Sequence, residues 1–144
     1  MALLVTSEQQ FLKLLGPNHY SFIDGNGGMA WDVTDLWRLT KDFPKQKKPL
    51  TDFNDIIVRW MNFGGKRNDK DEMIVPFNVA HFERIRNAEL SYPILVIKDK
   101  KIHPNIRVAD GMHRLMKSYL SNASTILTVE INQMPEPDII YRKK

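Results

Sequence analysis

Apolar residues along this chain follow three patterns, and each predicts a different element. Phe53, Ile56, Ile57, Trp60 and Met61 recur at i, i+3, i+4, i+7 and i+8 after Thr51-Asp52, which puts them on one stripe of a helix facing a core. Ile94-Leu95-Val96-Ile97 is a short unbroken apolar run behind Tyr92-Pro93 and reads as a buried strand, because a proline pushes the residue before it into extended geometry. Ile126 to Ile131 alternates, with Leu127, Val129 and Ile131 expected inward and Thr128 and Glu130 outward.

Weaker signals fill the rest. Ser7-Glu8-Gln9-Gln10 followed by Phe11, Leu12, Leu14 and Leu15 predicts a short capped helix stopped by Gly16-Pro17. Tyr20 to Ile23 and Met29 to Trp31 flank Asp24-Gly25-Asn26-Gly27-Gly28, so a hairpin is expected there. Asp32 or Thr34 can cap a helix carrying Leu36, Trp37 and Leu39 and ended by Pro44, and Lys45 to Pro49 reads as a basic link. Gly64 to Glu72 contains no apolar residue and reads as an exposed loop, the best candidate for a lid. A helix is expected from about Asn78 to Leu90, carrying His81, Arg84, Ile85 and Ala88. After Ile94–Ile97 come a polar turn from Lys98 to Asn105, a second strand at Ile106–Ala109 and a helix from Met112 to Leu120. Of that helix Met112, Leu115, Tyr119 and Leu120 are expected on the core side. Beyond Pro135 and Pro137 only a short tail is expected. The order predicts a single α+β domain over residues 1–144, a small mixed sheet with helices packed on it.

Composition narrows the picture. A chain of 144 residues, 42% hydrophobic, can bury one core. No run of about 18 apolar residues is present, so no membrane partner is expected. The polar Thr6-Ser7-Glu8 directly after Leu3-Leu4-Val5, without a basic flank, is unlike a signal peptide. Absence of cysteine excludes disulfides and thiolate chemistry and fits a cytoplasmic setting. The 21 Lys and Arg exceed the 17 Asp and Glu mainly through Lys45-Gln46-Lys47-Lys48 and Arg142-Lys143-Lys144, which read as solvated surface, although a pI near 9.3 permits nucleic acid as a partner.

The chemistry concentrates in Asp110-Gly111-Met112-His113-Arg114, where a strand hands over to a helix. A glycine there lets a ligand oxygen approach backbone N–H groups that lack intrahelical partners, and the helix dipole favours negative charge. His113, Arg114 and Lys117 fall in the first two turns, so three donor groups can surround the same corner. The plainer alternative is that Asp110 caps the helix and Arg114 pairs with a surface carboxylate. Phe63-Gly64-Gly65-Lys66 lacks the spacing and hydroxyl residue of a phosphate-binding P-loop. His19, His81, His103 and His113 have no metal-ligand spacing, so no metal site is expected from them. Trp31, Trp37 and Trp60 read as core anchors.

Tyr92-Pro93-Ile94-Leu95-Val96, a turn, Val108-Ala109-Asp110-Gly111-Met112-His113-Arg114-Leu115-Met116-Lys117 and a closing strand resemble the ParB/sulfiredoxin-like superfamily, most of all its small ParB-like proteins with an acidic proline tail, here Pro135-Glu136-Pro137-Asp138. The resemblance covers about His81 to Asp138. It implies that Gly111, Met112, His113, Arg114 and Lys117 bind the phosphates of ATP or another nucleotide, with or without magnesium. Asp110 would be the catalytic residue that orients a metal, a water or an acceptor hydroxyl. His81 and Arg84, three apart on the preceding helix, are candidates to face the substrate from across the sheet, with a solvated helix face as the plainer reading. Asp24, Asp32 and Glu83 are weaker candidate carboxylates. In sulfiredoxins the position of Met112 is a nucleophilic cysteine, and a thioether cannot take that role. The expected function is therefore a nucleotide-dependent phosphotransferase or NTPase acting on a phosphorylated small molecule or other acceptor. The alternatives are a DNA-binding or nuclease-like module and a non-catalytic nucleotide sensor.

Overall fold

The computed structural model describes residues 2–60, 66–67, 73–75 and 79–144, which form a mixed α+β arrangement of two four-stranded sheets, a two-stranded ribbon and five α-helices. In chain order the first half contains β1 (Leu3–Val5), α1 (Glu8–Leu14), β2 (His19–Asp24), β3 (Gly27–Asp32), α2 (Val33–Leu39), β4 (Gln46–Pro49), and a 3-10 turn (Leu50–Phe53) that runs into α3 (Asn54–Trp60). The second half contains β5 (Lys66–Arg67), β6 (Met73–Val75), α4 (Val79–Arg86), β7 (Ile94–Ile97), β8 (Arg107–Asp110), α5 (Met112–Leu120), β9 (Thr125–Ile131) and β10 (Ile139–Arg142).

The sheet that carries the site has the order β4-β9-β7-β8. β7 and β9 run parallel, with Leu95 opposite Val129, whereas the other two pairings are antiparallel. Parallel neighbours need a crossover, and α5 supplies it. The pleat then decides which residue goes where. Ile94 and Val96 pack with Val108 and Ile126 against Phe53, Ile56 and Ile57, against Ile85 of α4, and against Leu115 and Met116 of α5. Leu95 and Ile97 pack with Val129 and Ile131 against Trp31 of β3, Leu36 of α2 and Met134. Burial on both faces is why the β7 run is apolar throughout.

The second sheet, of order β1-β10-β3-β2, turns its other face to Phe11 of α1, which packs with Val5, Ala30, Ile139 and Tyr141. Both early caps form. Ser7 Oγ accepts from the Gln10 amide at 3.3 Å, and Asp32 Oδ1 accepts from the Thr34 amide at 2.8 Å. The β2–β3 hairpin closes through Asp24, whose Oδ1 accepts from the amides of Asn26 (2.7 Å) and Gly27 (3.1 Å).

Several elements differ from the sequence reading, each for a local reason. Lys45 to Pro49 is not a link: Gln46–Pro49 is an edge strand paired with β9, and its lysines are typical of an exposed edge. The tail past Pro137 enters β10 at the middle of a sheet, and β1 pairs with it in parallel, Leu3 opposite Ile139. Thr128 is fully buried rather than outward, since β9 is an interior strand, and its hydroxyl donates to the Gln46 carbonyl at 3.2 Å. Tyr119 and Leu120 are exposed, and Met116 and Ser118 take their places inside. α4 ends at Arg86, short of Leu90. Of the expected loop Gly64–Glu72, Lys66–Arg67 pairs with β6, and the remainder, like Met61, lies outside the described residues.

Tyr20 joins the second core cluster at its edge, and burial pushes its phenol up to about 12 despite the charge of Arg107 nearby. An unfolded tyrosine ionises near 10, so between about pH 10 and 12 the unfolded chain releases a proton that the folded chain retains, and stability falls as pH rises. Urea midpoints at pH 9 and 11 are expected to drop more for wild type than for Tyr20→Phe; equal drops would show that Tyr20 does not carry the effect.

Candidate functional site

β8 ends at Asp110 and α5 begins at Met112, so a single residue must reverse the chain. Gly111 does so with φ of 103° and ψ of 19°, a left-handed conformation. A Cβ there would lie 2.6 Å from Ile94 Cγ2 and 2.9 Å from Ile94 Cβ. Glycine is thus demanded first by the close passage of the turn over β7, a requirement beyond the ligand access that its sequence context suggests.

The helix it opens has no side-chain cap. Its first intrahelical bond runs from the Leu115 amide to the Gly111 carbonyl at 2.9 Å, leaving the amides of Met112 and Arg114 without partners inside the helix. Asp110 does not fill the capping role. Its Oδ2 accepts instead from the Trp37 indole N–H at 2.7 Å, and among the described residues Oδ1 has no protein partner. Trp37→Phe removes that donor from a half-buried carboxylate and is expected to cost about 1–3 kcal/mol. A urea titration checks this, and an unchanged midpoint would show that the indole is not what holds Asp110.

The uncapped turn opens into a cleft of about 450 Å³. Asp110, Gly111, Met112, His113 and Arg114 line it together with Arg84, Glu89, Tyr92 and Trp60. Arg114 is fixed before any ligand arrives: its Nη1 donates to the Pro93 carbonyl at 2.5 Å, and its guanidinium lies 6.0 Å from the centre of the Tyr92 ring. One of five N–H donors is used in that bond, so most of the fork remains. His113 meets Trp60 edge-on, with ring centres 5.7 Å apart and planes at 89°. Two arginines and a helix N-terminus thus stand against the carboxylates of Asp110 and Glu89, and the small positive excess lies at the helix N-terminus beside Arg114.

No family model, curated protein sequence or solved structure matches the chain.

The cleft therefore rests on its own geometry. Of the residues singled out in the sequence, it brings together Asp110, Gly111, Met112, His113, Arg114 and Arg84. Met112 divides its surface between the cleft and the core cluster under α5. Lys117 does not line the cleft: its Nζ donates to the Ala88 carbonyl at 2.8 Å, tying α5 to the chain after α4. His81 falls on α4, and its side chain lies outside the described residues. The weaker carboxylates are engaged elsewhere, Asp24 and Asp32 in the turn and cap above and Glu83 with Arg86 at 2.9 Å. His19 Nδ1 accepts from the Gly16 amide, and His103 bonds Tyr20. Among the described residues no three His, Cys, Asp or Glu side chains gather as a metal site.

Three aromatic residues of the site escaped the sequence reading. Trp60 closes the α3 stripe and was readable only as core, although it is half-buried and lines the cleft. Tyr92, exposed at the lip, was hidden behind the role of Pro93 in starting β7. Trp37 reaches Asp110 across 73 residues of sequence, and no local signal announces such a contact.

Proposed function

We propose that this chain is a ParB/sulfiredoxin-like protein whose cleft at the start of α5 binds the phosphates of ATP or another nucleotide, and that it acts as a phosphotransferase or NTPase. The observation that carries the reading is the uncapped first turn of α5 opening beside a pre-positioned Arg114. Backbone amides of Met112 and Arg114 offer fixed dipoles, and the guanidinium offers a fork, the combination that recognises phosphate oxygens. Arg84 faces the same space and adds charge. Tyr92, exposed at the lip, offers a ring surface that suits a base. The order β7, β8, Gly111 turn, α5, β9 also agrees with the strand and helix order that the resemblance implies.

Phosphoryl transfer depends mainly on positioning and charge neutralisation. In this reading the amides and arginines hold the phosphates, and the Asp110 Oδ1, left over by the Trp37 contact, orients an acceptor hydroxyl or water. Magnesium carried in with the nucleotide would supply further charge neutralisation, with Asp110 the residue to hold it. Calorimetric titration with ATP, ADP, CTP and GTP, each with and without magnesium, tests the binding, and phosphate release tests turnover. Saturable binding of at least one nucleotide supports the site. Binding without product leaves a nucleotide sensor, and no binding of any nucleotide overturns the reading.

A further inference from the structure

The β7–β8 pair has a second end, roughly 13 Å from the Gly111 turn at about 3.3 Å per strand residue. A separate cleft of about 360 Å³ lies there, lined by Lys98, Lys100, His103, Asn105, Ile106 and Asn132, with Pro104 at its edge. Its volume falls in the range of small-molecule sites. Every charged residue of the lining is a lysine.

The acidic groups of this corner are all engaged. Asp99 points inward, where its Oδ1 accepts from the Lys101 amide (3.0 Å) and its Oδ2 from the Met134 amide (2.8 Å). The Asp99 carbonyl also accepts from the amides of Ile102 and His103, both at 3.0 Å, so one residue fixes the whole turn. Glu130 is held between two lysines, Lys98 and Lys48, the latter at 3.5 Å. One carboxylate cannot neutralise two ammonium groups, and the trio retains a positive charge beside the cleft.

His103 is fixed as well. The Tyr20 hydroxyl and His103 Nε2 lie 2.6 Å apart and share a hydrogen bond, which holds the ring in place. Among the described residues Nδ1 has no protein partner. The lining thus offers the exposed Lys100, Lys98 shared with Glu130, the His103 ring and the amide side chains of Asn105 and Asn132 over an apolar patch from Ile106 and Pro104.

We infer that this cleft is a second binding site, independent of the Gly111 turn, for a small organic anion carrying phosphate or carboxylate groups. The lysines take the anionic end, His103, Asn105 and Asn132 its polar substituents, and Ile106 with Pro104 its carbon skeleton.

The test is an NMR titration of the full chain with inorganic phosphate and, separately, with succinate, at constant ionic strength. The His103 ring and the Asn132 side-chain amide are the reporters. Saturable shifts at both are expected, with affinity weakened about tenfold in Lys100→Ala, an exposed residue whose removal leaves the fold intact. Arg114→Ala should leave them unchanged, which separates this site from the first cleft. A response to phosphate alone, or to succinate alone, assigns the anionic group. Shifts that do not saturate, or that persist undiminished in Lys100→Ala, would overturn the inference.

Discussion

Gly111→Ala is expected to lower the melting temperature by about 10 °C, the effect of roughly 3 kcal/mol in a domain of this size. Two costs combine. The backbone sits at φ of 103°, where an L side chain is strained, and the new methyl would meet Ile94 at under 3 Å. Ile94 is fully buried between α3, α4 and α5, so it has no space into which to retreat. Gly25→Ala is the control, since nothing lies within 4 Å of its added Cβ and the expected change is within about 0.5 kcal/mol. A scan that shows equal melting temperatures for the two variants would refute the steric account of the turn.

Arg114→Ala is expected to weaken nucleotide binding by about a hundredfold, the loss of charge-assisted hydrogen bonds worth roughly 3 kcal/mol. Stability should fall too, by about 1–2 kcal/mol, because the Pro93 carbonyl loses its donor. Arg114→Lys separates the two effects: an ammonium group can reach a carbonyl but offers no planar fork. Restored stability with affinity still far below wild type is the expected result, read by calorimetry and urea titration on the same samples. Full recovery of affinity in the lysine variant would mean that only charge is needed there.

Much of the site was legible because it is local. The apolar run at Ile94–Ile97, the alternation at Ile126–Ile131 and the helix at Met112–Leu120 lie within one stretch of chain, and their order alone predicts a strand-to-helix turn at Gly111. What the turn does with its neighbours was not local. Spacing puts Lys117 one turn after His113, yet the Ala88 carbonyl, reached only through the fold, draws its ammonium away from the cleft. A carboxylate just before a helix reads as a cap, and Trp37 takes Asp110 for another purpose. The same reason hid β1 and β10. Strands of three and four residues show no periodicity, and their pairing joins Leu3 to Ile139. Thr128 was misplaced because alternation says which residues share a face but not that both faces are covered.

The measurement closest to the central claim is an amide NMR titration with ATP, with and without magnesium, that follows the N–H signals of Met112 and Arg114. The account predicts saturable downfield shifts at these two, as their protons come to point at phosphate oxygens, with the Met112 shift greatly reduced in Arg114→Ala. Signals that stay in place while other amides move, or that do not move at all, would contradict it.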